Sequence, residues 1–145
     1  MTTRRGGDDG FTLVELMVTI VILGVLVGIA LPSLLRQREQ AMDLQAKGRL
    51  DTAGRAAAAV FVESGKHSSQ AAILGYFTPD LDFSGAADDS VHVVVDDDDA
   101  TRVLLYTRSD SGDWFGLRLE GLAEATCLGD AEGDMNLAAC SGSDW

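Results

Sequence analysis

Hydrophobic and polar positions divide the chain into stretches of different texture. From Leu16 to Leu35 no residue carries a formal charge, and only Thr19 and Ser33 bear hydroxyls. A run of about twenty such residues is long enough to span a bilayer as a helix. Beyond Leu35 the polarity rises while the helical period persists. Met42, Ala46, Leu50, Ala53, Ala57 and Val60 recur three or four residues apart, and Arg36, Glu39, Asp43, Lys47, Arg49, Asp51 and Arg55 lie mostly off that stripe. The pattern predicts an amphipathic continuation ending near Glu63-Ser64-Gly65, where Gly65 supplies the C-cap. The whole helix would exceed fifty residues, about 75 Å at the usual rise. Pro32, which lacks a backbone donor and crowds the preceding turn, should bend or loosen it; two helices broken at Pro32 fit the same pattern.

From Lys66 to Asp89, Gly, Ser, Asp and isolated apolar positions mix with Pro79, which predicts a surface connection with little regular structure. Three strand signals follow at Val91 to Val95, Thr101 to Thr107 and Trp114 to Leu119, separated by Asp96-Asp97-Asp98-Asp99 and by Ser109-Asp110-Ser111-Gly112. This spacing predicts an antiparallel meander. Such a sheet must cover its apolar face, and the Met42-to-Val60 stripe is the long amphipathic element available. The fold class expected is α+β, a long N-terminal helix packed through its second half on a small antiparallel sheet. The segments are a leader at 1–10, an apolar helix at 11–35, its amphipathic continuation at 36–65, and a head at 66–145.

Composition narrows the possible functions. The 145 residues suffice for one modest domain, and 46% apolar content can build its core. Twenty-three acidic against eleven basic residues give a net charge of −12, which repels phosphates and argues against nucleic acid as a partner. The two cysteines, Cys127 and Cys140, fit one disulfide because the apolar segment argues for export; two unpaired thiols in a reducing cytosol are the competing reading. Closing a loop of that size removes roughly 3 kcal/mol of unfolded-state entropy.

The leader Met1 to Gly10 is polar, with Arg4 and Arg5 offset by Asp8 and Asp9, and has no apolar region of its own. Cleavage after the apolar run, as in a secretory signal, does not suit the sequence Gly28-Ile29-Ala30-Leu31-Pro32 leading straight into a polar helix. Glu15 sits just inside the apolar segment that starts at Phe11. A carboxylate at membrane depth costs on the order of 3 kcal/mol, so it calls for a partner. In a chain beginning at Phe11, the new α-amino group lies about one helical turn away, within reach of Glu15 in cis or from a neighbouring subunit.

The run Gly10-Phe11-Thr12-Leu13-Val14-Glu15-Leu16-Met17, followed by the apolar stretch, resembles the prepilin cleavage and methylation signature of type IV pilins and type II secretion pseudopilins. The resemblance implies that a membrane-embedded aspartyl peptidase cuts between Gly10 and Phe11 and methylates the new N-terminus of Phe11. This chain would be the substrate, with Glu15 attracting the N-terminus of the preceding subunit and so setting register. Pro32 matches that family's helix-kinking proline, and its ladle-like architecture agrees with the α+β reading. Asp8 and Asp9 depart from the Lys or Arg that many leaders of the family carry before the glycine. With Arg4 and Arg5 at one end of the span and Arg36 and Arg38 at the other, charge alone gives no orientation, and an outside C-terminus follows from the resemblance. Gly24 and Gly28 form a G-x-x-x-G pair that lets helix backbones approach closely.

Other candidate chemistry is sparse. Asp96 to Asp99 suit a solvated turn better than a cation site. Asp130, Glu132, Asp134 and Asn136 place oxygens at alternate positions inside the cysteine loop, a weak calcium candidate interrupted by Gly133; a plain acidic loop is the competing reading. His67 and His92 have no motif support. Gly65-Lys66 looks like the end of a phosphate loop, but Val60 stands where its first glycine belongs and His67 replaces the Ser or Thr. No catalytic spacing emerges, so neither enzyme activity nor a cofactor is expected.

The expected role is a structural subunit of a type IV pilus-like filament. It would reside as a single-pass protein in the cytoplasmic (inner) membrane, then in an extracytoplasmic or cell-surface filament. Its partners would be identical or related pilin subunits, the prepilin peptidase and an inner-membrane assembly platform. Two alternatives are a type II secretion pseudopilin and a single-span membrane-anchored binding module.

Overall fold

The computed structural model describes residues 11–87, 89–140, 142 and 145, so the leader at 1–10, with Gly10, lies outside the described residues. The elements run α1 (Leu13–Ser64), α2 (Ala71–Phe77), β1 (His92–Val95), β2 (Arg102–Arg108), β3 (Trp114–Glu120) and β4 (Ala123–Gly129), then a short 3₁₀ turn at Glu132–Asp134. The chain divides into two compact units, Met1–Arg38 and Glu39–Trp145.

In the first unit the helix continues without interruption through Pro32, so the two-helix alternative does not hold. A proline removes one backbone donor, a loss that the turns on either side outweigh when both are strongly helical.

The second unit is built around a four-stranded antiparallel sheet in the order β1-β2-β3-β4. Ala46, Leu50, Ala53, Ala56, Ala57 and Val60 of α1 are buried with Val103, Leu105, Phe115, Leu117 and Leu119 of the sheet, and Leu74, Phe83 and Val91 complete that core. Small residues on the helix face let the sheet come close. A Cβ added to Gly54 would lie 2.6 Å from Leu117 Cδ2. Gly65, at φ +71°, ends the helix, its N–H bonding to Phe61 O at 2.7 Å.

Two elements were not anticipated. Ala71–Phe77, within the expected irregular connection, forms α2, a seven-residue helix with one buried residue, Leu74. The meander also gains a fourth strand. β3 and β4 join through the two-residue loop Gly121-Leu122, with Glu120 opposite Ala123. Gly121 at φ +61° supplies the positive φ that a type II′ hairpin needs at its first loop position.

The outer sheet face is covered as well. Leu104, Cys127, Met135 and Cys140 form a second buried cluster flanked by Tyr106, Trp114 and Leu137. Cys127 and Cys140 are joined by a disulfide, their Cα atoms 4.8 Å apart. It lies over Gly116, where an added Cβ would stand 2.5 Å from Cys127 Sγ and 3.1 Å from Met135 Sδ. The cysteine segment is therefore the lid of a second small core.

Candidate assembly surface and processing site

The start of α1 is organised by its own sequence. Thr12 Oγ1 accepts a hydrogen bond from the Glu15 N–H at 3.2 Å, making Thr12 the N-cap. Thr12-x-x-Glu15 is also the spacing of a capping box, a signal that could have revealed this cap in the sequence. Glu15 in the first turn complements the positive end of the helix dipole. Phe11 precedes that cap, four positions before Glu15, and is 77% exposed.

From Leu13 to Leu35 the large apolar side chains are all exposed. By length and composition, the helix is able to cross a membrane. Its hydroxyls are satisfied internally: Thr19 Oγ1 donates to Leu16 O at 2.7 Å and Ser33 Oγ to Ala30 O at 2.8 Å. That removes the cost of bringing them into an apolar surrounding. Apart from the helix's own backbone, a Cβ at Gly24 or Gly28 would meet nothing within 4 Å, so both glycines are open notches.

In the head, the run Asp96 to Asp99 is a capped turn around an arginine. Asp96 Oδ1 accepts the Asp98 N–H at 3.0 Å, and Asp99 Oδ1 accepts the N–H and hydroxyl of Thr101 at 3.0 and 2.6 Å. Those bonds from Thr101, with Arg102 close by, hold the Asp99 carboxyl below the usual range. Arg102 lies 3.7 Å from Asp96, 3.8 Å from Asp99 and 3.6 Å from Glu120.

Three of the four residues of the weak calcium candidate, Glu132, Asp134 and Asn136, have other engagements. Asp134 Oδ2 accepts the Ala131 N–H at 3.1 Å, and Asn136 Oδ1 accepts the Ala139 N–H at 2.8 Å. Glu132 Oε1 faces the Tyr106 hydroxyl at 3.4 Å and His92 Nδ1 at 3.9 Å. Burial, with the Glu132 charge beside it, pushes the Tyr106 phenol up. Among the described residues no three His, Cys, Asp or Glu side chains converge as a metal site.

His67 acquires a role that its sequence context did not signal. It is buried at 6% exposure and stacks on Phe61 with ring centroids 4.9 Å apart. Its Nε2 pairs with Gly121 O at 3.1 Å, and its backbone N–H donates to Ala100 O at 2.8 Å. Burial lowers the imidazole pKa, against the opposing pull of the Gly121 carbonyl. His67 therefore ties the end of α1 to two hairpin turns.

Residues 6–31 match the family model described as the prokaryotic N-terminal methylation motif. The chain is also 33% identical over 69 residues to the type IV major pilin protein PilA of Myxococcus xanthus, a stretch covering 48% of this chain and 31% of that protein. It is 42% identical over 45 residues to the type II secretion system core protein G of Pseudomonas aeruginosa, covering 31% of this chain and 32% of that one. These matches support the pilin and pseudopilin family. The matched stretches thus span about a third of each relative's own length. No solved structure matches the chain. The family's motif takes in Gly10, Phe11, Glu15, Gly24 and Gly28, whereas the disulfide and the two-faced head belong to the chain's second unit.

Proposed function

We propose that the chain is a structural, non-enzymatic subunit of a type IV pilus-like filament. A prepilin peptidase cleaves between Gly10 and Phe11 and methylates Phe11. The processed subunit waits in the inner membrane with its head outside, and an assembly platform feeds it into the filament. The observation that carries this reading is the methylation motif over residues 6–31 on a helix whose apolar side chains, from Leu13 to Leu35, are all exposed.

The assembly step follows from the chemistry of that surface. Lipid and a bundle of neighbouring helices offer comparable apolar contact, so the gain on assembly must come from close packing and from polar pairing. Gly24 and Gly28 provide the close approach. Glu15 provides the pairing: unpartnered in lipid, its carboxylate meets the methylated amine of a neighbouring Phe11 at the filament base.

Intact mass and N-terminal fragmentation of the chain, produced with its cognate peptidase and assembly machinery, test the reading. The expected product begins at N-methyl-Phe11 and is recovered in filaments. Glu15→Ala should be cleaved normally while filament yield drops at least tenfold; full yield from this variant would remove the assembly role of Glu15. A chain retaining residues 1–10 would favour the membrane-anchored module instead. The similarity to core protein G supports a second reading, a type II secretion pseudopilin. Filaments that remain beneath the cell surface and copurify with a secretion complex would select it.

A further inference from the structure

Charge is distributed unevenly along the chain in a way that helix packing does not use. Residues 66–145 hold sixteen acids and four bases. Of those four, Arg102 and Arg118 already face Asp96, Asp99 or Glu120. Heads of this composition repel one another when brought side by side. Arg36 and Arg38, by contrast, follow directly on the apolar run, and both are exposed. Glu39 follows Arg38 directly and stands three positions after Arg36, but it forms no ion pair with either arginine among the described residues, and Glu15 lies twenty-one positions from Arg36, about 30 Å along a helix. Two cations on the outer flank of a span also work against the usual orientation bias. Neither capping nor membrane topology explains them.

The head has two ends, each marked by contacts. Near Glu39, Asp43 Oδ1 accepts the hydroxyls of Ser109 and Ser111 at 2.8 and 2.5 Å, fixing the β2–β3 turn there. Where α1 ends, the His67 N–H binds Ala100 O, which fixes the β1–β2 turn at that end. Within that turn Asp96 and Asp99 face Arg102, while Asp97 and Asp98 are exposed and their carboxylates are in no ion pair among the described residues. The helix from Glu39 to Ser64 separates the two ends by about 39 Å. Arg38 is bonded directly to Glu39, so a second copy displaced along the fibre by about one head length brings its arginines level with Asp97 and Asp98.

We propose that Arg36 and Arg38 dock on the Asp97-Asp98 turn of a second copy of this chain. The contact is heterologous, the arginine end of one head to the aspartate end of the next, and such a contact propagates without closing. It sets an axial register that apolar helix packing alone leaves loose. The inference rests on the filament reading and specifies a head contact within it.

The test compares four chains expressed with the cognate peptidase and assembly machinery: unaltered, Arg36→Glu/Arg38→Glu, Asp97→Lys/Asp98→Lys, and the combination of all four changes. Two quantities are read, the processed pool in the membrane and the yield of sheared filament. Each double variant should keep its processed pool and lose at least tenfold in filament, and the combination should recover to within about threefold of the unaltered chain. Rescue also separates a charge contact from a folding defect. Unchanged yield from either double variant, or a combination as poor as its parents, overturns the contact. If Arg36→Glu/Arg38→Glu depletes the membrane pool and the head lysines do not restore it, the arginines serve anionic lipid headgroups instead, and the proposal fails. Absence of filaments from the unaltered chain overturns the filament reading itself, a result distinct from the others.

Discussion

Three glycines of the head and two of the apolar helix differ in their surroundings. In the head, Gly54, Gly116 and Gly129 are each closed over by a neighbour: an added Cβ would stand 2.6, 2.5 and 2.6 Å from Leu117, Cys127 and Met135 respectively. In the apolar unit, the same test at Gly24 and Gly28 finds nothing within 4 Å. Gly48, Gly75 and Gly133 of the head also meet nothing, so the close approach is particular to Gly54, Gly116 and Gly129. Under the proposed filament reading, the group that approaches Gly24 and Gly28 belongs to a second molecule. The head is complete in itself, its sheet covered by α1 on one face and by the disulfide segment on the other. The apolar helix leaves its large side chains from Leu13 to Leu35 exposed.

Substitutions at these glycines are the sharpest way to break that comparison. Gly116→Ala forces a methyl group against the disulfide, and overpacking of this kind costs about 1–3 kcal/mol. Both tryptophans, Trp114 and Trp145, lie in the second unit, so the fluorescence of the full chain in detergent follows unfolding of the head in urea. A clear drop in the urea midpoint is expected. An unchanged midpoint would mean that the outer cluster is looser than its geometry implies.

Gly24→Ala with Gly28→Ala should act in the opposite sense. The helix gains up to about 1 kcal/mol per site in propensity, and the head's urea midpoint stays where it was. The cost appears only on assembly, as a several-fold loss of filament with normal processing. If filament yield is unaffected, the notches are not contact points and the contrast loses its basis.

The smallest effect expected is a pH dependence confined to the head. His67 is held with its pKa below 6.5, chiefly by burial, so the unfolded imidazole takes up its proton first as pH falls. Between the unfolded and folded values the unfolded state binds more protons, and stability therefore declines with falling pH across that window. Below the folded value the decline from this group ends. In His67→Gln the fall in urea midpoint between pH 7.5 and 5.5 should be smaller than in the unaltered chain. Equal falls would assign the pH dependence to other groups.

Legibility of the sequence followed the strength of its patterns. The long apolar run and the stripe from Ala46 to Val60 could be read because a period repeated over many turns leaves little freedom. The strands around Val91, Leu104 and Phe115 carry β-branched and aromatic residues between turn signals, and they form β1 to β3. β4 escaped because Ala-Glu-Ala-Thr-Cys-Leu-Gly offers weak strand preference; its pairing with β3 is decided by the Gly121 turn and by the cover of the Cys140 segment. α2 escaped because seven residues with one buried side chain show no period. Of the residues proposed for assembly, Glu15 stood out as a charge in an apolar run, whereas the Thr12 cap required attention to a four-residue spacing.

Sequence alone determined the apolar helix, the N-terminal methylation motif, the acidic balance and the α+β class, because each is a property of local order or composition. Tertiary structure decided that the sheet is covered on both faces, that Arg102 gathers the aspartates of its turn, and that His67 pins the helix end to Gly121. Those outcomes depend on groups far apart in the chain meeting at a few ångströms, and no local pattern records such a meeting.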